Sequence, residues 1–173
     1  MLYWYIYRIP PVLVVFMMFI GTFIYPYLMG KINTKYSKHI RIINTVLSLI
    51  AVFGILYITV FTRTKGEYSA DFMPFVIFKK ASQQKEFYRE MVMNVFLFFP
   101  FGLTLPFIFK KHNFKTAAAV VIWGLILSSA VEFTQYYFSL GNFETDDIIC
   151  NTLGAAIGVL GNIMFNEKLG VRN

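Results

Sequence analysis

The stretch VEFTQYYFSLGNFETDDIICNTLGAAIG, residues 131 to 158, decides how this chain folds. Its flanks suit helices in lipid, yet it gathers the acids Glu132, Glu144, Asp146 and Asp147 and the amides Gln135, Asn142 and Asn151. An ionised carboxylate at the centre of a bilayer costs about 3 kcal/mol even on lenient insertion scales. Acids placed there must meet water, a cation or strong donors, or else be protonated. The stretch therefore predicts two membrane helices joined by a short acidic turn, with their polar groups turned into the protein.

Composition extends that reading to the whole chain. Of 173 residues, 57% are hydrophobic and 14% charged, and the mean hydropathy is +0.59, which leaves too little polar surface to coat a water-soluble globule. The expected fold is all-α and polytopic, a single domain over residues 1–173 with membrane lipids as its surroundings. The formal net charge of +7 does not point to nucleic acid, because the basic residues fall in short groups between apolar runs and form no stripe with aromatics. The lone Cys150 has no second thiol for a disulfide or a metal site, and no glycine loop for a nucleotide is present, so no cofactor is expected.

Apolar runs near the roughly 20 residues that a bilayer core requires mark five spans. They fall at about 9–30, 42–61, 91–109, 116–139 and 147–165. The first follows an aromatic group, Tyr3, Trp4, Tyr5 and Tyr7 with Arg8, and carries Pro10 and Pro11 in its opening turn. It is too long and lacks the small-residue exit of a cleaved signal, so it counts as a span. Between spans two and three, FMPFVIF (72–78) is too short to cross and is expected to be re-entrant or interfacial. Pro100 and Gly102 predict a kink or break in span three. Lys31, Lys35, Lys38 and Arg41, then Lys110, Lys111 and Lys115, then Lys168 and Arg172 flank the spans on one side, which the positive-inside rule assigns to the cytoplasm.

Counting crossings then brings the polar residues together. Arg63 closes span two, Asn94 opens span three, Glu132 and Gln135 near the end of span four, and Asp146, Asp147 and Asn151 open span five, all toward the extracytoplasmic face. Ser128, Glu132 and Gln135 share one side of their helix, as do Asp147, Asn151, Gly154 and Gly158, the last two forming a small-xxx-small pair for close helix packing. By depth, Arg63 is the cation expected to pair with Glu132 or Asp147, with Asn94, Gln135 and Asn151 completing the hydrogen bonds. Each residue also has a plainer reading. Arg63 suits an interfacial anchor, Asp146 and Asp147 suit the first turn of a helix with Thr145 or Asp146 as its cap, and Asn94 and Asn151 suit helix packing.

Read in order, Arg63, MPF (73–75), NVFLFFPFG (94–102), VEFTQ (131–135) and TDDIICNTLGAAIG (145–158) resemble the VanZ-like family of small bacterial membrane proteins. The resemblance covers about the last two thirds of the chain. It implies a role in the cell envelope, since the family's namesake is associated with resistance to teicoplanin, a glycopeptide that acts on lipid-linked cell-wall precursors outside the cytoplasmic membrane. Carried over, the family's polar positions fall on Arg63, Asn94, Glu132, Gln135, Asp147 and Asn151. One departure is that the turn usually reading Arg-x-Phe-Asp is here Asn142, Phe143, Glu144. The implied activity is binding of a lipid-linked or amphipathic envelope molecule, a cell-wall precursor or the glycopeptide itself. The rival is a membrane-embedded enzyme using Glu132 and Asp147 as acid, base or metal ligands. His39 and His112 sit on the side away from the acids, and no nucleophile elbow is visible.

Overall fold

The computed structural model describes residues 9–67, 69–109 and 113–168, with side chains for all of these except 33–37 and 165–168. The aromatic group before Ile9, the basic residues Lys110, Lys111 and Arg172, and His112 lie outside them.

Helix α1 runs over Pro11–Leu56 and continues through a single π-helical stretch, Tyr57–Phe61. Pro10 and Pro11 sit at its start, where a missing N–H leaves no bond unmade. Its two halves nevertheless lie side by side. The Tyr25 hydroxyl donates to Asn44 Oδ1 at 2.6 Å, whereas a straight helix would hold these residues about 28 Å apart at 1.5 Å per residue. The chain thus doubles back, and α1 is a hairpin of two span-length segments, Pro11–Ile32 and Lys38–Phe61. The basic stretch between spans one and two is itself helical.

Three more span-length segments follow: Lys85–Ile108, Phe114–Tyr137 and Thr145–Met164. The first contains α3 (Lys85–Thr104), the second is α4 (Phe114–Tyr137), and the third belongs to α5 (Thr145–Lys168). Five helical segments long and apolar enough to cross a bilayer make this a multi-pass membrane protein. Of the kink or break expected at Pro100, a break does not occur: α3 passes through it to Thr104 and only then tightens into a 3-10 turn, Leu105–Ile108. Proline removes one backbone bond there, and the buried neighbours Phe98, Phe99, Phe101 and Gly102 keep the flanking turns in place.

Helix α3 is the centre of the bundle. In its most apolar window 56% of residues are buried, against 22% in each half of α1. Val92, Val95, Phe99 and Leu103 pack with Val14 and Met18 of α1 and Cys150 of α5, and Phe98 and Phe101 pack with Ile55, Val131 and Ala155. Against α5 the backbones nearly touch. A Cβ built on Gly154 would collide with the carbonyl of Val95, and one on Gly158 would lie 2.5 Å from the Phe99 carbonyl oxygen. That is the close approach the small-xxx-small spacing predicts.

FMPFVIF (72–78), expected to be re-entrant or interfacial, forms a turn and the start of a short helix α2 (Val76–Gln83), and is preceded by a two-residue strand β1 (Ala70–Asp71). Strand β1 pairs in parallel with β2 (Phe143–Glu144), Ala70 opposite Phe143. This ties the connection to the acidic turn between α4 and α5. Phe72, Met73 and Phe75 stay exposed while Ile77 is buried.

Candidate functional site

The end of α1 leaves backbone carbonyls without helical partners. Gln135, buried near the end of α4, donates its amide to the carbonyl of Thr59 at 2.8 Å and closes one of them. Thr59 lies within the π-helical stretch, and Arg63 comes two residues beyond its end. On the same level Glu132 is 2% exposed and therefore faces the protein, with its Oε2 accepting from the backbone N–H of Glu144 at 3.1 Å.

The opening turn of α5 divides its two aspartates between different tasks. Asp146 does not cap its own helix with its side chain. Its two oxygens accept from the backbone N–H groups of Phe75 at 2.5 Å and Ile77 at 2.7 Å, capping α2 from elsewhere in the chain. This bond set holds Phe75 at φ 69°, a left-handed backbone that a bulky side chain rarely adopts. Asp147, one residue on, turns to α3 and accepts from the Asn94 amide at 2.6 Å. Asn151, one turn deeper, donates to Ser128 Oγ at 2.9 Å in the α4–α5 contact, and its Oδ1 is buried with no partner among the described residues.

Between the second half of α1 and one face of α3 lies a cavity of about 440 Å³. Its deep part is apolar, walled by Ala51, Gly54, Ile55, Leu97 and Pro100. Its other end gathers the polar lining, Arg63, Glu90, Asn94, Gln135, Asn142, Glu144 and Asp147, beside the apolar Ile9, Ile58 and Met93. Of the seven residues expected to form a polar cluster, the structure brings Arg63, Asn94, Gln135 and Asp147 to this wall. Glu132 lies behind it, bonded to Glu144; Asp146 borders a smaller cavity of about 80 Å³ under α2; Asn151 belongs to the helix seam.

The expected Arg63–Glu132 or Arg63–Asp147 ion pair is not formed. No basic nitrogen lies within 4 Å of a carboxylate oxygen for either pair, although Arg63 is within electrostatic range of Glu90, Glu132 and Asp147. Each acid instead meets a neutral donor, Asp147 the Asn94 amide and Glu132 the Glu144 N–H, while Arg63 lies exposed beyond contact distance. Neutral donors thus hold the acids, and the guanidinium stands exposed at the cavity wall. Three further wall residues fall outside the predicted cluster. Glu90 lies four residues before Asn94, hence on the same face of α3, a spacing that identifies it from sequence. Asn142 and Glu144 are the positions where the turn departs from the family pattern; Asn142 Nδ2 donates to Glu144 Oε1 at 3.2 Å and its Oδ1 accepts from the Ser69 N–H. Among the described residues no three of His, Cys, Asp and Glu converge closely enough to hold a metal ion.

Fold and site define a class, a five-span helical membrane protein with a polar-ended cavity inside the bundle. Comparison with known proteins is more specific: the VanZ/LLP1 family matches residues 12–166, and the chain belongs to that family. Protein VanZ of Enterococcus faecium is 39% identical over 85 residues, 47% of this chain and 51% of that protein. The chain therefore aligns with about half the length of this relative. No solved structure matches it.

Proposed function

We propose that this protein binds a lipid-linked or amphipathic envelope molecule in the cavity between α1 and α3. By holding that molecule it alters its exposure at the bacterial cytoplasmic membrane, and so contributes to resistance to glycopeptides of the teicoplanin type. The observation that carries the reading is the cavity's polarity gradient. A space walled by Ile55, Leu97 and Pro100 at one end and by Arg63, Glu144 and Asp147 at the other suits a ligand with an apolar tail and a polar head. The basic flanks of the opposite end support an outward-facing polar end. The family membership and the VanZ relative support the link to glycopeptides.

The test uses Gly54, which lines the cavity and whose added Cβ would meet nothing within 4 Å. Gly54→Leu sends a side chain into the cavity from that open position. Mass spectrometry of envelope lipids co-purifying with wild type and with this variant is expected to show a species lost in the variant, and the variant is expected to lose any teicoplanin resistance that expression confers. Identical lipid profiles would overturn the reading. Turnover of the co-purified lipid, abolished by Glu132→Gln, would replace binding by catalysis.

A further inference from the structure

We infer that the cavity selects a zwitterionic headgroup, an amphiphile with an anionic oxyacid received by Arg63 and an ammonium received by Glu144, Asp147 and Glu90. The inference rests on the binding reading above and names the chemistry of its ligand. Its basis is a charge distribution that the protein itself leaves unpaired. Arg63 is the only basic residue on the wall among the described residues, and three carboxylates share that wall with it.

A guanidinium and a carboxylate brought into contact attract each other. That attraction ordinarily draws such groups together, and here it has not. Neither Arg63 nor Glu90 makes a side-chain hydrogen bond or ion pair with a described residue, and Asp147 and Glu144 are each held by one neutral amide. The two signs of charge face the same cavity separately. A phosphate alone would answer Arg63 and leave the acids opposed to it. An ammonium alone would answer the acids and leave Arg63 opposed to it. A headgroup carrying both satisfies both walls at once, while the apolar depth receives its chain. Lys80 borders the smaller cavity beside Glu90 and offsets part of that residue's charge, so Glu144 and Asp147 form the principal seat for the ammonium.

The experiment compares three amphiphiles of matched chain length on purified full-length protein in detergent, with binding read by native mass spectrometry. They are lysophosphatidylethanolamine, lysophosphatidylglycerol and an alkyltrimethylammonium. The zwitterion is expected to bind at least about tenfold more tightly than either single-charge probe. Arg63→Gln should erase its advantage over the alkylammonium, and Glu144→Gln its advantage over the glycerol lipid. Gly54→Leu should abolish the binding of all three. Equal affinity of the three probes, lost together in Gly54→Leu, overturns the headgroup inference and leaves the binding reading standing. Failure of all three to bind, or binding indifferent to Gly54→Leu, overturns both.

Discussion

Helix α3 presents two faces that were built to opposite ends. Toward α5, Val95 and Phe99 meet Gly154 and Gly158 so closely that one added carbon on either glycine would strike a backbone carbonyl. Toward α1, Asn94, Leu97 and Pro100 face Ala51, Gly54 and Ile55 across a cavity, and a carbon added at Gly54 meets open space. Glycine serves close contact on one side and leaves room on the other. Without a hydrophobic driving force between helices in lipid, close backbone packing is what holds a bundle together. The α3–α5 seam supplies it, together with Val14 and Met18 from the first half of α1, and that leaves the stretch of α3 beside Ala51 and Gly54 free to stay open.

The same substitution on the two faces should therefore give opposite results. The largest effect is expected for Gly154→Leu, which forces a whole side chain against the Val95 carbonyl and should abolish recovery of folded, monodisperse protein. Gly154→Ala should still lower the thermal midpoint in detergent, since overpacking of this kind costs about 1–3 kcal/mol. Next comes the end of the bundle where both faces stop. Asp146→Ala removes two bonds from a carboxylate to backbone N–H groups, each contributing about 1.5–3 kcal/mol. Limited proteolysis should then cut within residues 63–85 much faster than in wild type. Gly54→Ala, by contrast, replaces glycine in a helix with no steric objection, so it should leave stability unchanged or raise it by up to about 1 kcal/mol. A destabilised Gly54→Ala would mean that the open face is not open.

How much of this could be read from sequence follows from what periodicity reports. Apolar runs locate the five spans, and the spacing of Ser128, Glu132 and Gln135 places all three on the buried side of α4. Such patterns say which side of a helix is covered; they do not say what covers it. Asp146 is bonded to backbone N–H groups 71 and 69 residues away, and Glu132 to the backbone of Glu144. Backbone donors leave no mark in a sequence, so Arg63, the one conspicuous cation at the right depth, drew a pairing where the structure instead sets neutral donors, Asn94 and the Glu144 N–H, against the acids. Glu90 shares a helix face with Asn94 by its spacing, but it stands as one charge among many in the mixed run that leads into the first turns of α3, and so does not stand out.

The smallest expected effect discriminates between the seam and the cavity for Asn151. Helix spacing groups it with Asp147, but its amide is spent on Ser128 Oγ inside the α4–α5 contact and it does not reach the cavity wall. Interhelical hydrogen bonds in membranes average about 0.6 kcal/mol because an unfolded segment in lipid also finds partners. Ser128→Ala should accordingly lower the thermal midpoint slightly and leave amphiphile binding unaltered. A change in ligand affinity comparable with that of Arg63→Gln would instead put Asn151 on the open face of the bundle, and the division of α3 into a sealed side and a receiving side would have to be redrawn around it.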